Sequence, residues 1–597
     1  MPIRRSMDEV DAILTRPGSL FELTTFQHPC GAIVKNYKNS PPNHRAFIEA
    51  QLNKFADRVF LSSSNDGPGR QRLTYKQAHD ASVRRAAWLR SKGVGVGTRV
   101  ALAGQNSNQW VINWIALHYL GAVPVYVNTT LTLEANIHCL ALAEPRLVLV
   151  DAENAGVFGA VRDQLTVHYV GELYAWAPTT GLPPAVRAAV PEIDESTVTP
   201  ALLNSVIWGA GLEGLGPASD GTILFTSGTT GLPKAVISTQ AAGLHNVISG
   251  MVSGARALLR EGKINDPAEI PPPAQQPSTL LVVPLFHSTG GQAWLMRMLG
   301  VGGKLTFMGR WKVPEAIKII TSEGVNMLGG VPAIPVAIIN HPDLPKSQVF
   351  STISYGGAPS PDRLVSDIHS KWPNAMVING WGMTETSALH CALGGIDLAE
   401  HPNSCGRPVP CGEVKIVDAE TKQEVAPGAV GVILARGPNV MTKYLGNPKA
   451  TEETLDADGW LDTGDMGRLD ADGFLYIVDR AKDIIIRGGE NISSVEIESA
   501  LYLDDRVAEA AAVPVPDDAL GELVAAIVSL RPGASATGAS IRDAVAHRLR
   551  RHARPVLVVV HHELIPRNGN GKVIKTECKE IVVAAWEKEK KAPRAKL

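Results

Sequence analysis

The chain has 597 residues, of which 45% are hydrophobic and 19% charged, and its formal net charge is −2. This length permits several domains with substantial cores, and the composition is that of a globular protein rather than a disordered one. The net charge close to zero excludes a general attraction to nucleic acid or to an anionic membrane surface, so no nucleic-acid partner is expected.

The six cysteines and the longest apolar run narrow the class of protein further. The cysteines lie far apart, without the density of a disulfide scaffold or the spacing of a zinc site, and a reducing compartment is expected. The longest apolar run, Trp110–Val127, contains Asn113 and His118, which would be costly in lipid. It therefore predicts a buried helix followed by a strand, and no transmembrane segment. Met1–Arg5 has no apolar core behind it and does not read as a secretory signal.

The first half of the chain alternates between helical and strand patterns after an N-terminal stretch, residues 1–45, that predicts irregular structure. Such alternation favours parallel α/β sheets. The predicted helices are Ala46–Arg58, Lys76–Lys92, Trp110–Leu120 and Leu133–Leu142. The predicted strands are Arg72–Tyr75, Arg99–Ala103, Val123–Val127, Arg146–Val150 and Thr222–Phe225.

The second half begins with a polar, proline-rich stretch, Arg256–Pro277, that predicts a surface loop, and Thr279–Leu285 then predicts a buried strand. Past Asp479 the pattern predicts a small C-terminal domain from about Lys482. Its predicted elements are the strand Asp483–Ile486, the helix Val495–Leu501 with a capping box from Ser493 to Glu496, and the strand Val524–Leu530.

A loop rich in glycine and hydroxyl groups follows the strand Thr222–Phe225. It contains Thr226, Ser227, Gly228, Thr229, Thr230, Gly231 and Lys234. Glycines allow a tight turn, hydroxyls supply donors and the lysine supplies a positive charge, a combination suited to polyphosphate. It is not a Walker loop, because Lys234 lies three residues past Gly231 and is followed by Ala235. The alternative is a surface turn.

This loop closely resembles the phosphate loop of the adenylate-forming superfamily, which includes acyl-CoA synthetases, aryl-CoA ligases, luciferases and peptide-synthetase adenylation domains. Further segments resemble the family in the family's order, up to Lys572. The resemblance implies an α/β fold, with parallel-rich sheets flanked by helices and a β-barrel-like subdomain in a large N-terminal domain, residues 1–480. It also implies a small, mobile α+β C-terminal domain, residues 481–590, with a hinge near Lys482.

The segment predicted to bind adenine and metal follows the strand Ala375–Ile378, at the end of a strand where α/β proteins bind ligands. It consists of Asn379, Gly380, Trp381, Gly382, Met383, Thr384 and Glu385. Trp381 stands where the family usually stacks a tyrosine on adenine, Thr384 is expected to bind a phosphate, and Glu385 with Thr226 is expected to bind Mg²⁺. After the strand Thr352–Tyr355, a second pocket wall is predicted from Gly357, Ala358 and Pro359. The alternative for the segment from Asn379 to Glu385 is an apolar turn with one exposed glutamate.

The resemblance also assigns roles to single residues further along the chain. Asp465 is expected to accept both ribose hydroxyls and Arg480 to contact ribose or phosphate. His287 is expected to border the carboxylate pocket, and Lys572 to bridge the carboxylate and the α-phosphate. Gly488 and Gly489 are expected to line the tunnel for the pantetheine arm. The alternatives are that His287 is a packed histidine, that Asp465 is a turn aspartate and that Lys572 is a solvated surface lysine.

Together these segments imply an acid–CoA ligase that uses ATP, Mg²⁺ and coenzyme A. A carboxylic acid and MgATP would give an acyl-adenylate and pyrophosphate, and CoA would then take the acyl group and release AMP. An adenylating enzyme with another acceptor, such as an amine, a carrier protein or oxygen, remains open, as does a non-catalytic nucleotide-binding protein. Medium or long fatty acids and aryl acids are both compatible with the sequence.

The tail, residues 591–597, carries a candidate targeting signal. Ala595, Lys596 and Leu597 nearly match the Ser-Lys-Leu peroxisomal address. The expectation is therefore recognition by a peroxisomal import receptor, and the alternative is a frayed basic tail on a cytoplasmic enzyme.

Overall fold

The computed structural model describes residues 4–168, 170–226, 232–339, 341–357, 363–480, 483–488, 490–531, 533–567 and 573–591. It divides into two compact units. Unit 1 comprises Met1–Gly357, Val365–Val414 and Ala435–Asp462, and unit 2 comprises Ala358–Leu364, Lys415–Leu434 and Thr463–Leu597. The expected hinge residue, Lys482, lies outside the described residues, and the domain boundary after residue 480 stays a prediction.

The α-helices occur along the whole chain. They are α1 (Met7–Thr15), α2 (His44–Lys54), α3 (Tyr75–Ser91), α4 (Asn108–Tyr119), α5 (Leu133–Ala143), α6 (Ala152–Gly159), α7 (Arg162–Val167), α8 (Pro184–Ala189), α9 (Pro200–Ile207), α10 (Gln240–Arg260), α11 (Leu295–Gly300), α12 (Val313–Ser322), α13 (Ala333–Ile339), α14 (Leu364–Lys371), α15 (Ile396–Glu400), α16 (Pro448–Thr454), α17 (Ser494–Tyr502), α18 (Gly538–Val545) and α19 (Lys575–Lys591).

The strands alternate with these helices in the first part of the chain and cluster towards its end. They are β1 (Leu23–Gln27), β2 (Ile33–Tyr37), β3 (Val59–Ser63), β4 (Gln71–Thr74), β5 (Arg99–Ala103), β6 (Val123–Tyr126), β7 (Leu147–Val150), β8 (Glu172–Ala175), β9 (Asp220–Thr226), β10 (Lys234–Thr239), β11 (Ser278–Leu280), β12 (Lys304–Thr306), β13 (Met327–Gly330), β14 (Thr352–Gly356), β15 (Met376–Trp381), β16 (Cys391–Gly394), β17 (Arg407–Pro408), β18 (Glu413–Val417), β19 (Gly431–Arg436), β20 (Lys443–Tyr444), β21 (Leu461–Leu469), β22 (Leu475–Arg480), β23 (Ile485–Arg487), β24 (Glu490–Ile492), β25 (Val507–Asp517), β26 (Gly521–Leu530) and β27 (Leu557–His561).

Unit 1 is built on two large sheets. One has seven strands in the order β20-β10-β9-β6-β5-β7-β8, and the other has nine in the order β17-β16-β15-β14-β13-β11-β12-β3-β4. Their centres are parallel, as in the pairs β5–β7 and β14–β15. Parallel strands are buried on both faces, which explains the continuous apolar runs at Leu147–Val150 and Val123–Tyr126. The α/β fold class is therefore confirmed.

The long apolar run folds as predicted, because α4 is buried along almost its whole length and β6 follows it. Three of the largest fully buried side chains, Trp88, Trp110 and Trp114, belong to this core. Within the described residues, no helix combines the length and the apolar character needed to cross a membrane.

Three expectations from the pattern are wrong. The N-terminal stretch is not irregular in its described part, residues 4–45, since Ser6 and Glu9 form a capping box that starts α1, and β1 pairs with β2. The expected surface loop from Arg256 starts five residues later, because α10 continues to Arg260 and Arg256 is buried in an ion pair with Asp11 at 2.8 Å. The expected strand Thr279–Leu285 ends at Leu280.

Unit 2 contains two smaller sheets. The strands β18-β19-β21-β22 form one, in that order. In the described part of this sheet, β18 and β22 are its two edges and do not pair with each other, so the sheet does not close into the expected barrel-like subdomain. The other joins β24, β23, β26 and β25, and β27 pairs parallel to β26. The predicted strand–helix–strand succession is present as β23, α17 and β26. Apolar side chains of α17, α18 and this sheet form its core.

Candidate active site

The carboxyl ends of β14 and β15 lie side by side in the nine-stranded sheet. Their parallel register pairs Tyr355 with Asn379 and Gly356 with Gly380. A methyl group at Gly356 would lie 2.2 Å from the Gly380 carbonyl oxygen, so this close pairing requires glycine. The predicted adenine segment and the predicted wall residue Gly357 therefore leave one edge of the sheet together, where ligands bind in α/β proteins.

The chain after β15 makes a tight and strained turn around Glu385. Thr384–Thr386 form a 3₁₀ turn, and Ser387 and Ala388 follow with φ values of +50° and +84°. Such non-glycine conformations cost about 1–3 kcal/mol each and persist only where the surroundings impose them. Asn246 of α10 donates a hydrogen bond to the Ser387 carbonyl at 2.7 Å. Gly382 is required as well, because a methyl group there would lie 1.5 Å from the Ala388 carbonyl oxygen.

Strands β9 and β10 bring the two ends of the predicted phosphate loop together and close to Glu385. Their antiparallel register sets Thr226 opposite Lys234, and both strands contact the Thr384–Thr386 turn. The loop residues between them, Ser227, Gly228, Thr229, Thr230 and Gly231, lie outside the described residues.

Tyr444 connects the lysine and the glutamate. It belongs to β20, which pairs with β10, and its hydroxyl donates to Glu385 Oε1 at 2.7 Å. Lys234 Nζ lies 4.5 Å from the centre of the Tyr444 ring. Burial and the nearby Glu385 carboxylate raise the pKa of Tyr444, so the phenol remains a donor. Sequence reasoning missed Tyr444, because no local motif marks it and only the long-range pairing of β20 reveals its place.

Trp381 is 7% exposed, and its indole packs edge-on against the ring of His390, with the centres 5.8 Å apart. Asn439 donates to His390 Nδ1 at 3.0 Å, and His390 Nε2 donates to the Glu413 carbonyl at 3.0 Å. Burial lowers the pKa of His390, which is consistent with this neutral tautomer. The stacking of Trp381 on adenine stays a prediction.

His287 caps a π-helix, Ser288–Trp294, that continues into α11. Its Nδ1 accepts a hydrogen bond from the Thr289 amide at 3.3 Å, and the side chain is half-buried. Single π-helical turns are frequent at functional sites. Gln292 of the same turn donates to Thr222 Oγ1 of β9 at 2.8 Å. This contact ties the helix of His287 to the strand that ends at Thr226.

In unit 2, Asp465 and Arg480 are cross-strand neighbours on β21 and β22. Their side chains form an ion pair with 3.3 Å between Arg480 Nε and Asp465 Oδ1. Gly488 has φ +58°, and its amide donates to the Leu520 carbonyl at 2.8 Å. The predicted residues Ala358, Pro359, Gly489 and Lys572 lie outside the described residues. So do Ala595, Lys596 and Leu597, and the peroxisomal hypothesis stays a prediction.

The donor set near Lys234 fits one magnesium ion held largely by its nucleotide. Among the described residues, no group of three or more histidine, cysteine, aspartate or glutamate side chains could hold a metal. Mg²⁺ in nucleotide sites uses one or two carboxylates and takes its other ligands from phosphates and water. Glu385, fixed by Tyr444 beside the two strands of the predicted phosphate loop, supplies such a carboxylate.

Comparison with known proteins finds extensive similarity along the chain. The family model for AMP-binding enzymes matches residues 48–445, and the model for the AMP-binding enzyme C-terminal domain matches residues 496–572. A Rhodococcus jostii protein named 3-[(3aS,4S,7aS)-7a-methyl-1,5-dioxo-octahydro-1H-inden-4-yl]propanoyl:CoA ligase is 31% identical, over 88% of this chain and 97% of its own length. The rice protein 4-coumarate–CoA ligase 5 is 29% identical, over 91% and 96%.

Solved structures show the same fold. The o-succinylbenzoate CoA synthetase of Bacillus subtilis in complex with its acyl-adenylate intermediate superposes with a TM-score of 0.67 at 26% identity, covering 90% of this chain and 98% of that one. The structure of that enzyme with ATP and a magnesium ion superposes with a TM-score of 0.68, covering 90% of this chain and 100% of that one.

Proposed function

The chain belongs to the AMP-binding enzyme family and is an ATP-dependent acid–CoA ligase, and from this premise we propose that it activates a bulky cyclic carboxylic acid in two steps. It uses ATP, Mg²⁺ and coenzyme A. In the first step, a carboxylate oxygen attacks the α-phosphorus of ATP, and the bond to pyrophosphate breaks. In the second step, the CoA thiolate attacks the carbonyl carbon of the acyl-adenylate, and AMP leaves.

The observation that carries the first step is the convergence of Lys234, Tyr444 and Glu385. An in-line displacement at phosphorus builds negative charge on the phosphate oxygens, and fixed cations stabilise it. Lys234 supplies one positive charge at the base of the predicted phosphate loop. The Glu385 carboxylate, oriented by the Tyr444 hydroxyl at 2.7 Å, would hold Mg²⁺, which when bound neutralises and orients the phosphates.

Residues of unit 2 are proposed to serve the nucleotide and the second step. Asp465 offers a carboxylate that accepts from two vicinal hydroxyls, and its ion pair with Arg480 holds it in place. Lys572 is proposed to bridge the carboxylate and the α-phosphate in the first step. Gly488 and Gly489 are proposed to admit the thin pantetheine arm in the second.

The class of acid is proposed from the relatives. Two curated proteins at 31% identity, from Rhodococcus jostii and Mycobacterium tuberculosis, are named for a propanoic acid on a fused-ring dioxo system. Others at 28–29% identity are named for 4-coumarate, an aryl acid. We therefore propose a ring-bearing acid rather than a linear fatty acid as the substrate.

The test is a product assay over a panel of acids with cyclic and linear skeletons. Purified enzyme, MgATP and each acid are incubated with CoA, without an acceptor, and with a carrier protein. We expect acyl-CoA, AMP and pyrophosphate in the CoA reaction with at least one cyclic acid, at a higher kcat/KM than with any linear acid. Acyl transfer to the carrier protein but not to CoA would favour the alternative acceptor.

A further inference from the structure

Arg297 of α11 is a cation that the proposed first step does not use. Burial lowers the pKa of its guanidinium to about 10, yet the side chain is only half-buried and keeps accessible surface. The guanidinium is therefore a charged group surrounded by protein. In the part of the chain that the structure describes, no aspartate or glutamate forms an ion pair with it, and burial is the one cause of its shifted pKa.

Within the described ranges, the neighbours of Arg297 leave most of its N–H donors without an acceptor. It donates one hydrogen bond to Ser354 Oγ at 3.3 Å, and its guanidinium carbon lies 5.5 Å from the centre of the Trp294 ring. A guanidinium carries five N–H donors in a planar fork that matches two oxygen atoms. A buried charge without a carboxylate is costly unless hydrogen bonds compensate it, so the open donors call for an acceptor.

Gly250 of α10 lies beside the aliphatic part of the Arg297 side chain. A methyl group built on Gly250 of α10 comes no closer than 3.9 Å to Arg297, and one built on Gly254, a turn further, meets nothing within 4 Å. Glycine inside a helix costs roughly 1 kcal/mol relative to alanine, so two of them one turn apart need another reason. The room for a methyl group at Gly250, beside Arg297, and the open space at Gly254, one turn along the same helix, supply such a reason.

The helix α11, which carries Arg297, and the strand β14, which carries Ser354, are each close along the chain to residues of the predicted acid site. Arg297 lies ten residues after His287 on one continuous helical segment, at most about 15 Å along its axis. Ser354 lies two residues before Gly356 on β14, about 7 Å from the pocket wall at the strand end. Along their elements, Arg297 therefore lies at most about 15 Å from His287 and Ser354 about 7 Å from Gly356, separations comparable with the length of a ring-bearing acid.

We propose that Arg297 and Ser354 form the polar far end of the acyl pocket, and that Arg297 binds an oxygen acceptor on the distal ring of the acid. The substrate class is then a ring-bearing acid with a ketone or a second carboxylate remote from the activated one. This assignment rests on the proposed function and makes it more specific. Trp294, which packs on Gly329 of β13, fixes the arginine from one side.

The test uses matched acids that differ only at the far end: 3-cyclohexylpropanoic against 3-(4-oxocyclohexyl)propanoic acid, and 3-phenylpropanoic against its 4-acetyl and 4-carboxy derivatives. We expect the wild-type enzyme to favour an acceptor-bearing acid, and Arg297→Met to lower that preference by roughly 10- to 100-fold, mainly through KM. The unsubstituted acids should be used as well as before, or better. Arg297→Lys should restore part of the preference, and the 4-acetyl and 4-carboxy arms separate ketone from carboxylate recognition.

Arg310→Met, at an exposed position, is the matched control. Retained binding of ATP and an unchanged melting temperature show that Arg297→Met is folded. An equal loss with both members of each pair, or an unchanged preference in Arg297→Met, would overturn the assignment while leaving the ligase activity in place. Turnover of no acid by the wild-type enzyme would instead overturn the proposed function, and this assignment with it.

Discussion

At the scale of single residues, the candidate site depends on uncharged side chains that orient the charged ones. Tyr444 contributes no charge, yet its hydroxyl contacts Glu385 and its ring lies under Lys234. A hydrogen bond to a charged group contributes on the order of 1.5–3 kcal/mol. A small change at Tyr444 should therefore alter the orientation of the Glu385 carboxylate while leaving the carboxylate itself in place.

Tyr444→Phe keeps the ring under Lys234 and removes only the hydrogen bond to Glu385. We expect the rate of acid-dependent ATP–pyrophosphate exchange to fall about 10- to 100-fold and the Mg²⁺ concentration for half-maximal rate to rise. Tyr174→Phe, which removes a tyrosine–glutamate contact at the other edge of the same sheet, is the matched control. A Mg²⁺ dependence unchanged from wild type would contradict the role given to Tyr444.

A second residue-scale prediction concerns pH and stability. The rings of His44 and His118 stack at 4.3 Å in the core, and burial lowers the pKa of His44 to about 4. Between pH 6.5 and 4 the unfolded chain binds a proton that folded His44 does not, so stability falls as pH falls through that window, by up to about 3 kcal/mol.

His44→Gln should therefore flatten the loss of stability between pH 7 and 5, measured by urea unfolding. His168→Gln, at an exposed position, should keep the wild-type slope. Equal slopes in all three proteins would show that His44 does not titrate as inferred.

At the scale of elements, α19 is fastened to α17 and β22 within unit 2 by a half-buried lysine paired with a buried glutamate. Lys575 Nζ lies 2.9 Å from Glu498 Oε1 of α17 and also contacts Ser494, whose amide and hydroxyl donate to Asp479 of β22. Although burial lowers the pKa of Lys575, the attraction of Glu498 and Asp479 outweighs it and raises the pKa overall. One lysine thus joins two helices and the strand that ends at Arg480.

Lys575→Met should destabilise unit 2 by on the order of 3–5 kcal/mol, because it leaves the Glu498 carboxylate buried without its partner. Faster hydrogen exchange in α17 and α19, measured by mass spectrometry, would show this, and adding Glu498→Gln should recover part of the loss. Lys579→Met changes an exposed lysine on the same helix and should have no effect. Exchange rates equal to those of the control would contradict the inference.

The amphipathic helices α3 and α5 could be predicted from the sequence within about two residues, whereas α2 ends at Lys54, four residues before the predicted Arg58. Local periodicity decides such helices, because one face packs on a sheet. α10 is different, since Gly243, Gly250 and Gly254 interrupt its pattern and tertiary packing sustains it. The approach of Tyr444 to Glu385 and that of Arg297 to Ser354 could not be predicted, because both depend on strand pairing or helix packing between segments far apart in sequence.

At the scale of the whole molecule, the two units contribute residues with different proposed tasks. Unit 1 holds Lys234, Tyr444 and Glu385 for the triphosphate, and unit 2 holds Asp465 and Arg480. The resemblance assigns Lys572 of unit 2 to adenylation alone. A single substitution at Lys572 should therefore impair adenylate formation and spare thioester formation.

Lys572→Ala should lower adenylate formation by orders of magnitude, because it removes the cation proposed to bridge the carboxylate and the α-phosphate. Thioester formation from CoA and a supplied acyl-adenylate should persist close to the wild-type rate. Single-turnover assays of each half-reaction measure the two effects, with Lys579→Ala as control. Equal losses in both half-reactions would contradict the division of tasks.

The glycine pair at the ends of β14 and β15 also restricts how substrate range can diverge during evolution. A larger residue at position 356 collides with backbone, whereas one at position 254 enters open space. If the proposed acyl pocket lies beside α10, new acids should be reached by filling or emptying its α10 side, while the sheet side stays as it is. A library for altered selectivity should vary residues 250 and 254 together with 297 and leave 356 untouched.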